Sequence, residues 1–144
     1  MKNETRALGF APLIMPFAFS FYAFFADIPG FNMQDGLLTF VGLFFGIVVV
    51  GLPVVYIYEL FIGFRFYQLL SKKKRVNIVT LTLGGVLVAD IPMFLIWPMT
   101  GGAGAVSFAV TFQLFSFVGF MIGLNFWVLL NFERLRDYVK AFAT

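Results

Sequence analysis

The sequence predicts an all-α integral membrane protein with four transmembrane helices in two hairpins. Three observations predict it: 61% of the 144 residues are hydrophobic, only 12% are charged, and the apolar residues fall in four long runs. A soluble domain carries roughly 25% charged residues and keeps much of its surface in water, so it cannot accommodate this much apolar side chain. Long, uniformly apolar runs cross a bilayer as helices, because lipid offers the backbone no hydrogen-bond partners.

Each of the four runs is long enough to cross a hydrocarbon core of roughly 30 Å, which needs about 20 helical residues. We place the spans at residues 7–26, 37–60, 76–97 and 106–130, and a tail at 131–144, all in one domain. The basic start of the first span resembles a signal peptide, but Phe24 stands where a cleavage site needs a small residue. We therefore expect a retained first helix.

The second and fourth helices are predicted to extend beyond the bilayer into the cytoplasm. Leu37 to Leu70 has no strong break except Pro53, and a helix of that length reaches roughly 51 Å. The fourth helix is predicted to continue through the tail, which places four apolar side chains at helical spacing among charged ones: Phe132, Leu135, Val139 and Phe142. This amphipathic tail either lies against the headgroups or the second helix, or forms a docking surface for a cytosolic partner.

The basic residues indicate the orientation of the chain. The connections at residues 27–36 and 98–105 contain no Lys or Arg. The ten basic residues lie before the first span, around the second connection and after the fourth span: Lys2, Arg6, Arg65, Lys72, Lys73, Lys74, Arg75, Arg134, Arg136 and Lys140. By the positive-inside rule, both termini and the tetrabasic segment at residues 72–75 face the cytoplasm. We interpret that segment primarily as a determinant of membrane topology. The alternative interpretation is a binding site for lipid or for a partner protein.

Asp90 is the only ionisable residue that is predicted to lie well inside a span. A charge there is costly, so the two interpretations are a proton or cation site and a structural hydrogen bond to Gln113. Ile91 precedes a proline, so the helix can kink or end at that point. We expect Glu59 and Arg65 at the cytoplasmic interface, among the tyrosines of an aromatic belt.

Small residues predict close helix packing. Gly42 with Gly46 and Gly119 with Gly123 form two Gly-x-x-x-Gly pairs, which fit contacts within one chain or between copies. The first pair follows an Ala-Asp-Ile-Pro-x-Phe motif at residues 26–31, and the second follows the same motif at residues 89–94. This echo is either a coincidence or the trace of a duplicated hairpin.

The chain lacks the groups that catalysis requires. There is no cysteine and no histidine, so thiol chemistry and the usual haem, zinc and copper ligands are missing. No nucleophile with a base, no carboxylate pair and no phosphate-binding loop is present. We therefore expect no enzyme activity, no catalytic residue, no metal and no cofactor. Nucleic-acid binding is not expected either, because the basic residues lie where membrane topology requires them.

Four spans, the basic connection at residues 72–75 and the basic tail at residues 134–140 resemble the small inner-membrane components of bacterial defence modules. Among these, the chain is similar in type to the membrane subunit of the Kiwa antiphage system, and secondly to colicin-type immunity proteins. The resemblance covers the whole chain. It implies a homo-oligomeric sensor that holds a soluble effector at the cell inner membrane, and it assigns no individual site residues.

Three functional hypotheses follow. The first is a non-enzymatic sensor or anchor subunit that docks a cytosolic effector through the basic connection and the tail. The second is an immunity or exclusion protein that binds a toxin or phage component in the membrane. The third is a small channel or transporter with Asp90 along its path, which requires several copies because four short helices enclose little room.

Overall fold

The computed structural model describes residues 2–26, 37–96 and 108–142, and this part of the chain consists of helices and short turns, with no strand. Helix α1 is formed by Lys2–Phe10 and Met15–Phe25, which a 3₁₀ turn at Ala11–Ile14 joins into one rod. Helix α2 starts as Leu37–Gly46 and ends as Phe64–Lys72. The remaining helices are α3 (Ile78–Ile96), α4 (Phe108–Leu130) and α5 (Phe132–Phe142).

The predicted helical class and the long apolar helices are confirmed. Three stretches are long and apolar enough to cross a bilayer: Asn3–Phe25, Phe40–Lys72 and Phe108–Leu130. Helix α3 contributes a shorter apolar stretch at Ile78–Phe94. The predicted length of α2 is also confirmed, since its stretch of 33 residues corresponds to about 50 Å of helix.

Two wide turns interrupt α2. Ile47–Gly51 and Glu59–Gly63 are π-helical, and the segment Leu52–Tyr58 between them is α-helical. The first wide turn precedes Pro53, which has no N–H to donate to the preceding turn. The second brings the N–H of Phe64 onto the carbonyl of Glu59. Such turns add a residue to the helix and re-aim the side chains around them, and they are frequent at functional sites.

Helices α3 and α4 form a close antiparallel pair. A Cβ atom added at Gly119 would stand 2.6 Å from Cβ of Ala89, and one added at Gly123 would stand 2.9 Å from Cα of Thr82. Only glycine allows the two backbones this approach. One end of α3 therefore lies beside the opposite end of α4.

Two apolar clusters join α1 to this pair. Near the start of α1, Ala7 and Ala11 are fully buried against a group that includes Phe126 of α4. Farther along, Ala18 packs with Leu114 and Val118. Asn125 of α4 also donates to the carbonyl of Ala11 at 3.2 Å. Hydrogen bonds and small residues thus hold α1 along the length of α4.

Helix α3 continues through Pro92 to Ile96, close to the predicted end of the third span at residue 97, so the helix does not end at Ile91. Met93 is buried there, and Phe94 packs edge-on against Phe112 at 5.9 Å between ring centroids. The fourth helix does not run unbroken into the tail, since Asn131 forms a turn between α4 and α5. The Asn131 side chain donates to the carbonyl of Trp127 at 3.0 Å and competes with the helical backbone for that acceptor.

Candidate functional site

A cavity of about 520 Å³ lies between α2 and the other three long helices. Each helix contributes apolar wall, for example Met15 of α1, Val55 of α2, Val88 of α3 and Val118 of α4. The space exists because α2 stands off from the tight α3–α4 pair: no residue in the most apolar window of α2 is buried, against 33% for α1 and 28% for α4. The cavity is therefore a gap between one loosely packed helix and a compact three-helix group.

Glu59 lines this cavity. It opens the second wide turn of α2, and it lies 13 positions before Lys72, roughly 20 Å from that end of the helix. Gly85 and Gly119, near the middle of α3 and α4, line the same space. The carboxyl group thus lies between the helices, on the stretch of α2 whose tyrosines Tyr56 and Tyr67 bond to the first ten residues of α1.

The Glu59 carboxyl group is incompletely hydrogen-bonded. Its Oε2 atom is buried without a hydrogen-bond partner, and the buried hydroxyl of Tyr58 shares this property. Leaving a buried polar atom unsatisfied costs roughly 1–3 kcal/mol, so such atoms call for an explanation. Gly63 makes room for the acid, because a Cβ atom there would stand 3.2 Å from Cγ of Glu59.

Tyrosines on α2 anchor the helix to α1 on either side of Glu59. The hydroxyl of Tyr56 donates to the carbonyl of Gly9 at 2.6 Å. The hydroxyl of Tyr67, another lining residue, donates to the Glu4 carboxylate at 2.8 Å. These two bonds fix the position of α2 although its apolar packing is sparse.

Asp90 does not line the cavity, and the prediction that it forms a hydrogen bond with Gln113 is wrong. Asp90 is 5% exposed and accepts hydrogen bonds from the Ser116 hydroxyl, at 2.9 Å for the shorter one. Gln113 accepts instead from the hydroxyl of Tyr22 at 3.0 Å. The serine lies three positions farther along α4 and faces α3, whereas the glutamine faces α1. Asp90 therefore has a structural partner within the α3–α4 pair.

The two predicted glycine pairs behave differently. Gly119 and Gly123 pack within the chain, against Gly85 and against the backbone at Leu81 of α3. Gly85 was not among the predicted packing residues, although it lies at the same contact. Gly42 and Gly46 are exposed on α2 and would have open space around an added Cβ atom. Within the described part of the chain, only the second pair makes a contact between helices.

The tetrabasic segment forms a tightly built turn between α2 and α3. The N–H of Lys74 bonds to the carbonyl of Ser71 at 3.0 Å, and that of Arg75 bonds to the carbonyl of Leu70 at 3.0 Å. These two bonds, with Lys74 at φ 52°, form a Schellman motif that ends α2. The turn exposes all four of its basic side chains: Lys72, Lys73, Lys74 and Arg75.

The other side of the same turn is a helix cap. The Asn77 side chain accepts from the N–H of Thr80 at 2.8 Å, and the Thr80 hydroxyl accepts from the N–H of Asn77 at 3.1 Å. This reciprocal pair satisfies donors that the first turn of α3 would otherwise leave free. The basic side chains thus extend from a backbone that is hydrogen-bonded on both sides.

Three basic segments meet at one end of the bundle, which we call the basic end. The bond between Tyr67 and Glu4 brings the start of α1 beside the end of α2, and the contact of Leu81 with Gly123 brings the start of α3 towards the end of α4. On α5, Arg134 and Arg136 are exposed, and Arg136 lies 3.6 Å from Asp137. The side chains of Lys140, Val139 and Phe142 lie outside the described part, as do residues 27–31 of the predicted repeat.

Comparisons with protein-family models, with curated proteins and with solved structures find no significant match for this chain. Across residues 2–26, 37–96 and 108–142, no three acidic side chains come close enough to hold a metal ion. The site therefore has to be interpreted from its own geometry. Its parts are an apolar cavity with one carboxyl group, that of Glu59, and an exposed basic end.

Proposed function

We propose that the chain is an inner-membrane protein that acts as a non-enzymatic sensor and anchor subunit. In this proposal, α1 with α2 and α3 with α4 cross the bilayer as two hairpins, and the basic end lies in the cytoplasm together with both termini. The antiparallel contacts within each pair support the hairpins. The positive-inside rule supports the orientation.

The exposed, hydrogen-bonded basic turn carries the proposal. A surface that is already held in one shape loses little conformational entropy on binding, so it suits a docking role. Helix α5 adds a second exposed charged surface at the same end, with Phe132 and Tyr138 51% and 68% exposed. A cytosolic effector with an acidic face would complement this combination of charge and apolar surface. We extend the proposal to phage defence, which is what the resemblance to membrane subunits of antiphage systems implies.

We also include homo-oligomer formation in the proposal. Helix α2 has no buried residue in its most apolar window, and its Gly42 and Gly46 are open to an approaching helix. Such glycine pairs let two membrane helices come close together. Copies would then associate through α2, while the basic ends stay free for the effector.

Co-purification tests the docking role. Chains extracted from their native membranes in mild detergent should bring one cytosolic protein with them, identified by mass spectrometry. Replacing the four basic residues of the turn by Gln should reduce its recovery at least about tenfold, because the charge complementarity is lost. Truncation before Glu133 should weaken it further.

The matched control keeps the charge of the turn and changes its chemistry. A variant with Lys72→Arg, Lys73→Arg and Lys74→Arg should retain the partner. A native chain that purifies without any cytosolic protein contradicts the proposal, and so does equal recovery of the same protein with the Gln variant.

A further inference from the structure

The cavity between α2 and the rest of the bundle has the dimensions of a small-molecule site. Its volume of about 520 Å³ lies within the range of about 300–1,000 Å³ that is typical of such sites. Its walls are formed almost entirely by aliphatic and aromatic side chains and by glycine backbone. An occupant must therefore have a compact, mainly apolar body.

The polar groups of the lining restrict the ligand further. Tyr58, Glu59 and Tyr67 are the polar side chains among the described lining residues. The hydroxyl of Tyr67 is already bonded to Glu4, whereas Oε2 of Glu59 and the hydroxyl of Tyr58 are buried without hydrogen-bond partners. These neighbouring residues provide an acceptor for a group that donates hydrogen bonds.

The charge of the site points to a cation. No Lys or Arg is among the described residues that line the cavity, so the chain provides no counter-ion there for Glu59. A carboxylate accepts hydrogen bonds and pairs most strongly with an ammonium group when both are withdrawn from water. Aromatic rings such as Phe19 and Phe66 in the same walls also attract cations through their faces.

We propose that this cavity binds a compact lipophilic amine, with its apolar body between the helices and its protonated nitrogen at Glu59. The inference deepens the proposed sensor role by naming the chemical class of its stimulus, and it rests on that role only for its biological purpose.

Equilibrium dialysis of the full chain in lipid nanodiscs tests the proposal. The probe is radiolabelled 1-adamantylamine, and 1-adamantanol is the neutral competitor of the same shape. Nanodiscs with the chain should bind the amine saturably at one site per chain, above the partition into empty nanodiscs. Glu59→Gln and the cavity-filling Val88→Phe should each weaken this binding at least about tenfold. Adamantanol should compete at least about tenfold more weakly than the unlabelled amine.

The matched control is Asp90→Asn, which removes a buried carboxyl group that does not line the cavity. Asp90 is bonded to Ser116 and is absent from the lining, so this variant should bind the amine as the native chain does. A helical circular dichroism spectrum and an unchanged elution volume establish that each variant is folded. The proposal is overturned if nanodiscs with the chain take up no more amine than empty nanodiscs do. This is the result expected when a lipid chain fills the cavity. So does amine binding that survives Glu59→Gln. Because dialysis uses the chain without a cytosolic partner, its outcome is independent of the co-purification result.

Discussion

At the scale of single residues, Lys74 occupies a position that glycine would fill better. Its φ of 52° is left-handed, which costs an L residue with a side chain roughly 1–2 kcal/mol. In a Schellman motif this position is usually glycine. Lys74 therefore contributes an exposed positive charge at some expense in stability, which is consistent with a surface shaped for binding.

Lys74→Gly should raise the free energy of unfolding by about 1 kcal/mol, because glycine adopts the left-handed conformation without steric conflict. Unfolding of the detergent-solubilised chain by SDS, followed by circular dichroism, measures the change. The control is Lys73→Gly at the adjacent position, where φ is −85° and glycine brings no relief. Equal stabilisation by both variants would show that the backbone of the turn differs from this one.

The residues of the candidate site were only partly predictable, for a geometric reason. Asp90 was found because its depth follows from a count along one helix, which needs no knowledge of the neighbours. The hydrogen-bond partner predicted for Asp90 was wrong. Gln113 and Ser116 lie three positions apart on α4, so only the rotation of α4 against α3 decides which of the two side chains faces Asp90. That rotation is set by the close contact of Gly85 with Gly119. Glu59 was named as an interfacial residue, but the cavity beside it was not foreseen, because that cavity depends on how far α2 stands off from the other helices.

At the scale of elements, the helices themselves were largely predictable, because the length of an apolar run is a local property. The extent of α2 was foreseen within two residues of its actual end at Lys72. Its wide turns were not predicted, because a continuous apolar run does not show where a helix widens. The break at Asn131 was also missed, because the apolar period of α5 continues that of α4.

The two glycine pairs provide a prediction at this scale. Gly119→Leu should lower the free energy of unfolding by about 1–3 kcal/mol or more, because the new side chain meets the backbone of Gly85 and Cβ of Ala89. Gly42→Leu should not destabilise the single chain, because an added Cβ atom finds nothing within 4 Å. It should instead weaken self-association, which light scattering in detergent measures. If Gly42→Leu instead destabilised the single chain and Gly119→Leu weakened self-association, α2 rather than α3 would pack against α4.

At the scale of the whole molecule, the common location of the basic segments is the strongest constraint. The sequence places ten Lys and Arg residues in segments separated by apolar runs, and the fold brings their described members to one end of the bundle. A bilayer that contains the apolar helices therefore separates this end from the other. The chain has no cysteine, so a single introduced thiol reports the side of the membrane without background.

Ser71→Cys and Tyr138→Cys place thiols at exposed positions of the basic turn and of α5, and Thr100→Cys places one in the connection predicted to lie outside. In intact cells, a membrane-impermeant maleimide should label only Thr100→Cys. After permeabilisation it should label all three, because the proposed orientation puts the basic end in the cytoplasm. Two independent steps are tested. If the antiparallel packing holds in the membrane, the thiols at positions 71 and 138 must be labelled under the same conditions, whichever way the chain is inserted. Labelling of both in intact cells would reverse the orientation and expose the basic end to the outside, where no cytosolic effector could dock.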